Sequence, residues 1–532
     1  MENKTHFANL PLLDFAIEEY RSNMKVAIDA LIKDLQSGPK EILPIYPGLK
    51  KGDGQTRVNL VPENLNLKIS STSEASKEQF DSVVPKLLSA FEEWSRTDIE
   101  LRASLLEKVA DLMVKKRYQL CAVIILETGK GWVEADADLG EAVDFLRYYA
   151  IEARELFKSK KMGNLQGENN IYFYEPRGLS AVICPWNFPL AIPCGMFAAS
   201  IVCGNSTILK PAEQSPLIAR EMFNLFLEAG LPENVACFLP GDGENVGVAI
   251  SKSKEISTIV FTGSKAVGLK LIQDGGVTHE GQKHVKRVIA EMGGKNAIVI
   301  DNDADIDEAV KGVLYSSFGF SGQKCSACSK VYIVDKAVYE NFKSRLSDAV
   351  SSIKVGPASD PGSYLGPVID KEAYDRISNT VSEGKKRLSV VSEATLDSSL
   401  EGKGYFIKPI IFENASDNDP IIKHEIFGPV VHIQAVSSFE EGIKKAIDSE
   451  YRLTGAIFSR SPKNIDYAIK EFKVGNLYIN RGSTGALVYR QPFGGAHMSG
   501  VGSKAGGPDY LQQFVVPRVV SENTMRRGFA PS

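Results

Sequence analysis

The chain has no apolar run long enough to cross a bilayer, so no stretch reads as a transmembrane helix. It has no basic excess either: 62 Lys and Arg stand against 66 Asp and Glu, a formal net charge of −4. That balance argues against a nucleic-acid binder, and no Lys/Arg block adjoins an amphipathic helix to point to a membrane surface. The opening Met1-Glu2-Asn3-Lys4-Thr5-His6 is neither a secretory signal nor an Arg-rich transit peptide. Cysteines are few. The seven are odd in number and irregularly spaced, which suits a reducing cytoplasm rather than a disulfide framework. No internal repeat and no low-complexity segment is present, and the dinucleotide fingerprint G-x-G-x-x-G is missing.

What is present is ordinary globular composition, 43% hydrophobic and 24% charged, over 532 residues, enough for two to four domains. Residues 1–40 carry helical spacing through Phe15, Ile17, Met24, Ile28, Leu31, Ile32 and Leu35, stopped by Ser37-Gly38-Pro39. They read as an extension without assigned chemistry. Residues 41–75 read as short strands and turns. Residues 77–157 carry three helical stripes, interrupted by Glu127-Thr128-Gly129-Lys130. Glu141 and Asp144 fall on or beside the third stripe and read as solvated carboxylates. Residues 160–176 look like a hairpin turning at Gly167-Glu168-Asn169-Asn170. From Gly178 onward, apolar strands alternate with helices, which predicts a parallel, doubly wound sheet with ligands at the strands' C-terminal ends. There Phe261-Thr262-Gly263-Ser264 closes a strand and opens a helix, a place where exposed amides attract phosphate. A second series of the same kind begins near Ala297. The tail, 511–520, is apolar and β-rich and is expected to add a strand elsewhere.

The segment Phe318-Gly319-Phe320-Ser321-Gly322-Gln323-Lys324-Cys325-Ser326-Ala327-Cys328 lies between a helical run and a strand. A thiol with a lysine beside it, in a glycine-broken loop whose amides face outward, is a candidate covalent nucleophile. By composition alone a cysteine is a small buried apolar residue. Cys325 and Cys328 also spell C-x-x-C, a redox pair or half a zinc site. No second C-x-x-C exists, so no metal site is expected.

Other loops complete a pattern. Pro185-Trp186-Asn187-Phe188-Pro189, Leu209-Lys210-Pro211-Ala212-Glu213, Glu291-Met292-Gly293-Gly294-Lys295-Asn296, Gly322-Gln323-Lys324-Cys325 and Glu425-Ile426-Phe427-Gly428-Pro429 occur in this order. Over about residues 60–520 the set resembles the aldehyde dehydrogenase superfamily. Asn480 to Gly495, with Cys325-Ser326-Ala327-Cys328, resembles its Δ1-pyrroline-5-carboxylate (L-glutamate γ-semialdehyde) dehydrogenase branch, in the stand-alone rather than the bifunctional form. Ser321, Tyr489 and Val501 depart from the wider pattern, where Gln, Gly and Thr are common.

The resemblance implies an α/β fold with two doubly wound domains, NAD-binding and catalytic, plus a small β oligomerisation flap. The expected division is a helical extension (1–55), an NAD-binding domain (56–290, its hairpin 160–176 in the flap), a catalytic domain (291–480), and an anchor loop with a C-terminal strand (481–532). It implies NAD as cofactor, a small-molecule substrate and a homo-oligomer. Cys325 is implied as nucleophile, Asn187 as oxyanion donor and Glu291 as base. Lys210 and Glu213 are implied at the adenosine ribose, Gly263 and Ser264 at the pyrophosphate, and Glu425, Phe427 and Trp186 around the nicotinamide end. Ser326, Gly485 and Ala486 are implied as carboxylate anchor, with Phe188 and Phe493 gripping the substrate's aliphatic middle. Two alternatives stand beside this reading. One is a dehydrogenase of another short semialdehyde, such as succinic, which a substrate panel distinguishes. The other is a non-catalytic protein on the same fold, which an NADH-production assay distinguishes.

Overall fold

The computed structural model describes residues 7–163 and 165–525; the opening Met1 to His6 lies outside them, as does the end of the 481–532 segment. Two parallel sheets dominate. In the first, the strands lie in the order Gly500–Val501, Arg287–Glu291, Ile256–Thr262, Leu179–Ile183, Ser206–Lys210 and Ala236–Phe238. All pairs are parallel except that of Gly500–Val501 with Arg287–Glu291. The chain runs outward from Leu179–Ile183 in one direction, then crosses back to Ile256–Thr262 on its other side. That reversal opens a crevice at the strands' C-terminal ends. Leu179–Ile183 and Ser206–Lys210 are buried at every residue, as helices on both faces require.

The second sheet runs Ser389–Glu393, Ile410–Glu413, Val430–Val436, Cys328–Val334, Asn296–Ile300, Thr454–Phe458 and Asn476–Ile479. Only Ser389–Glu393 is antiparallel to its neighbour. A third unit pairs Val515–Asn523 with Glu168–Pro176, and that strand with Lys160–Lys161, all antiparallel. The α/β architecture with a small β flap is thus as the sequence leads one to expect.

Several details differ. Strands Arg287–Glu291, Ser389–Glu393, Ile410–Glu413, Val430–Val436 and Asn476–Ile479 escaped sequence reading, because short apolar runs have no period to distinguish them. The tail begins with a buried 3-10 turn, Tyr510–Phe514, before its strand. The hairpin's second strand starts at Glu168, inside the expected turn. The segment beyond 481 also lends Gly500–Val501 to the first sheet.

Helix Trp132–Leu156 organises the loops between the sheets. Glu134, Asp138, Glu141, Phe145 and Tyr149 recur every three or four residues, so they share one face. Lys324 Nζ lies 2.7 Å from Glu134, Lys130 Nζ lies 2.7 Å from Asp138, and Gly506 N–H donates to the Tyr149 hydroxyl at 2.9 Å. Asp138 also accepts from Ala191 N–H at 2.7 Å, at the start of helix Ala191–Val202. The expected solvation of Asp144 is wrong: it is 3% exposed and accepts from the Asn9 amide and Leu10 N–H, both at 2.8 Å. A carboxylate on a packed helix face stays ionised only where such donors replace water.

Lys130 and Asp138 are both 0% exposed. Removing one partner strands the other charge without water, which costs about 3–5 kcal/mol. Asp138→Ala is therefore expected to lower unfolding free energy by that amount in urea titration, whereas exchange of an exposed acid such as Asp111 is expected to cost under about 0.5 kcal/mol.

Candidate active site

Helix Ile306–Phe318 is capped by Asp305, whose carboxylate accepts from Glu308 N–H at 3.2 Å. After it, Phe320 (φ 52°), Ser321 (φ 54°) and Gly322 (φ 68°) turn the chain through three successive left-handed residues. Such backbone persists only where surroundings over-determine it. Ser321 Oγ donates to Gly366 O at 2.7 Å, and Gln323 Oε1 accepts from Ile369 N–H at 2.9 Å. The Asn296 amide donates to Cys325 O at 2.7 Å and Ala327 O at 2.9 Å. The Asn187 amide donates to Gln323 O at 3.1 Å, so the loop after the first strand of the six-stranded sheet is tied two residues before Cys325.

A cavity of about 540 Å³ opens beside Cys325. Its wall brings together seven residues singled out from sequence: Cys325, Glu291, Ser326, Gly485, Ala486, Phe188 and Phe493. It also includes Glu141, which is not a solvated carboxylate as expected but a half-buried acid facing the cavity. Spacing held the clue: Glu134, Asp138 and Glu141 form an acidic line down an otherwise apolar helix face. Lys130 was also missed. Its ammonium sits 3.8 Å from the centroid of the Phe188 ring.

The electrostatics are acidic. Burial pushes the Cys325 thiol up to about 12, with the Glu425 and Glu291 charges adding to it. Lys324 does not offset this, contrary to the sequence expectation. Its ammonium turns to Glu134, and against the cost of burial the pair holds that carboxyl below its ordinary value and the lysine above its own. Burial raises Glu291 to about 8, opposed by the Gly495 N–H at 2.9 Å and by Lys504. Burial raises Glu141 to about 8 and Glu425 to about 7. Cys328 points into the core under the second sheet and donates to Lys330 O at 3.3 Å, so it forms no redox pair with Cys325.

The other expected residues are not among those lining this cavity; they stand in loops or at strand ends of the two parallel sheets. Trp186 packs edge-on against Phe427, centroids 5.5 Å apart, and Phe427 has φ 55°, not the backbone of an ordinary core residue. Glu425 accepts from Gly294 N–H at 2.9 Å. Lys210 is buried, with Pro211 O at 3.5 Å and Glu213 at 3.7 Å as its nearest acceptors. Gly263 N–H donates to Glu291 O at 3.0 Å, and Ser264 caps helix Lys265–Gly275 through Val267 N–H at 3.4 Å. Sequence reading missed Arg57, which lies 3.2 Å from Glu213 and 2.7 Å from Glu74.

A thiol and a carboxylate share a cavity beside a doubly wound sheet with an open crevice, and an amide ties down the thiol loop, a layout suited to oxidation of a carbonyl through a covalent intermediate. The aldehyde dehydrogenase family model matches residues 51–520, and the chain belongs to that family. It is 41% identical over 512 residues to the 1-pyrroline-5-carboxylate dehydrogenase of Geobacillus sp. (strain WCH70), covering 96% of this chain and 98% of that one. Among solved structures it resembles 1-pyrroline-5-carboxylate dehydrogenase from Thermus with bound NAD, with TM-score 0.94 and 37% identity over 98% of this chain and 100% of that one. It also resembles proline utilization A from Bdellovibrio bacteriovorus inactivated by N-propargylglycine, with TM-score 0.96 and 46% identity. All of this chain is covered in that match, which spans 55% of the Bdellovibrio protein.

Gly322 is the tightest point of the loop. Its φ is 68°, and a Cβ there would collide with the Gly428 carbonyl. Gly322→Ala is expected to lose at least about 1–2 kcal/mol of stability and to move Cys325 out of register. Thermal melting and the rate of Cys325 alkylation, read by peptide mapping, check this; an unchanged alkylation rate would show the loop geometry to be dispensable.

Proposed function

We infer that the chain oxidises L-glutamate γ-semialdehyde, the open form of Δ1-pyrroline-5-carboxylate, to L-glutamate with NAD, in proline breakdown. The observation that carries the reading is the shared cavity. Cys325 and Glu291 face the same space as Ser326, Gly485 and Ala486, so a chain with an aldehyde at one end and a carboxylate at the other can reach both.

The cofactor residues fit NAD. The buried Lys210 ammonium has only distant acceptors, so ribose hydroxyls complete its hydrogen bonding, and Glu213 accepts from a free 2′-OH. Gly263 and Ser264 stand where a helix N-terminus meets the crevice, suited to the pyrophosphate; Glu425, Phe427 and Trp186 surround the nicotinamide side. NAD, when bound, accepts the hydride.

Cys325 Sγ adds to the aldehyde carbon, and the oxygen that gains charge takes hydrogen bonds from the Asn187 amide and the Cys325 N–H. The thiol, raised to about 12 by burial, gives its proton to water entering the cavity as Sγ adds. After oxidation the acyl group remains on Cys325 as a thioester. Glu291 then takes a proton from the water that opens it, releasing L-glutamate. The substrate carboxylate lies against the Gly485 and Ala486 amides and the Ser326 hydroxyl. Its ammonium faces Glu141, whose charge that contact restores. Phe188 and Phe493 hold the methylenes.

The flap supports a homo-oligomer. From Val516 to Asn523 its outer strand is exposed at every residue, and Val516, Val519 and Val520 project from it. Seven free thiols fit a cytoplasmic setting.

Steady-state kinetics across glutamate, succinic and propionic aldehydes test the reading, with glutamate semialdehyde expected to have the highest kcat/KM. Preference for succinic semialdehyde would overturn the substrate while leaving the enzyme class. Because Glu291 works ionised, kcat is expected to rise with pH through about 8. Glu291→Gln is expected to lose that limb and to stall after one turnover; a wild-type profile flat across this range contradicts the assignment. NAD is expected to be preferred over NADP, and Glu213→Gln to narrow the gap roughly five- to tenfold by removing one short-range repulsion of a 2′-phosphate. A gap unchanged by Glu213→Gln would remove Glu213 from the ribose site.

A further inference from the structure

The N-terminal segment, without chemistry in the sequence, reaches the cavity. Residues 7–13 run without helix or strand, a state that is held in one place only by specific ties. Here the ties are many. Leu10 N–H donates to Asp144 and Leu13 N–H to Asp136, each at 2.8 Å. Arg117 donates to Pro11 O at 3.0 Å while also pairing with Asp136. Leu12 packs on Gly140, where a Cβ would come within 3.3 Å of it, and its side chain is part of the cavity wall. It is also 50% exposed, which puts it at the rim.

A second set of contacts joins this segment to the loop that carries Gly485 and Ala486. The Asn9 amide donates both to Asp144 at 2.8 Å and to Val488 O at 3.0 Å. Phe7, Tyr148 and Tyr489 form a closed aromatic triangle with centroids 5.4–5.6 Å apart. Tyr489 is one of the departures noted in the sequence. Its φ of 70° is a conformation that glycine adopts freely and tyrosine adopts at a cost. The aromatic triangle gives the chain a reason to keep a large side chain there.

We propose that residues 7–13 form part of the substrate site, a strap that pins the loop bearing Gly485 and Ala486 and whose Leu12 limits the length of aldehyde admitted. The assignment of that loop to the substrate carboxylate rests on the function inferred above; the limit on length does not. With the strap in place the loop amides are held ready for a carboxylate. Without it they must be ordered on binding, which weakens KM rather than kcat.

The test compares wild type with Leu12→Ala and Asn9→Ala on glutamate semialdehyde, propanal and octanal, with melting temperatures measured alongside. Leu12→Ala is expected to raise the octanal-to-propanal ratio of kcat/KM by about tenfold. Asn9→Ala is expected to raise KM for glutamate semialdehyde about tenfold, with kcat and the propanal KM held within about twofold. An octanal-to-propanal ratio unchanged in Leu12→Ala overturns the length limit. Equal losses on all three aldehydes in Asn9→Ala, accompanied by a lower melting temperature, overturn the pinning and leave a structural role. Wild type inactive on glutamate semialdehyde would sink the inferred function, while the ratio between the two simple aldehydes would still judge Leu12.

Discussion

Two ion pairs on one face of helix Trp132–Leu156 set the position of two loops near the thiol. Lys130 and Asp138 have no exposed surface, so neither charge survives there without the other. One turn away, Glu134 takes the charge of Lys324 and so holds the residue next to Cys325. Asp138 also receives the first amide of helix Ala191–Val202, and Lys130 supports the Phe188 ring. The loop after the first strand of one sheet and the thiol loop entering the other are thereby referred to a single rigid element. Loops positioned by a rigid scaffold are where chemistry is best held.

The consequence is a nucleophile without a cation. Both nearby lysines are committed to carboxylates, and the thiol faces Glu291, Glu425 and Glu141 across a low-dielectric space. Such a thiol rests protonated. In the mechanism inferred above it becomes reactive as its proton passes to water and Sγ adds to the aldehyde. The glycines serve the same crowding: a Cβ on Gly293 would strike Glu425, and one on Gly500 would lie 2.7 Å from Glu291. Those acids approach the reacting region only because the facing backbone has no side chains.

Much of this was legible in the residues. The alternation of strands and helices from Gly178 onward pointed to four strands of the first sheet, but not to Arg287–Glu291 or Gly500–Val501. The motif loops gave Cys325, Glu291, Ser326, Gly485, Ala486, Phe188 and Phe493, which meet in one cavity. Illegible were contacts between residues far apart in sequence. Glu141 looked solvated because an acid taken singly reads as surface, and its spacing to Glu134 and Asp138 was the one local clue. Lys324 looked like an activator because its partner Glu134 lies 190 residues away. Arg57 gave no signal, since its meaning depends on Glu213 and Glu74 being brought to it by two other elements. Residues 7–13 make half of their ties through backbone groups, at Leu10, Pro11 and Leu13, which leave no trace in side-chain pattern.

The central claim is that oxidation passes through a bond between the substrate and Cys325. Mass spectrometry of Glu291→Gln, quenched in acid after mixing with glutamate semialdehyde and NAD, tests it most directly. The account predicts one acyl group per chain, mapped to the peptide containing Cys325 and released by hydroxylamine. An unmodified Cys325 peptide in enzyme that has produced one equivalent of NADH would contradict it.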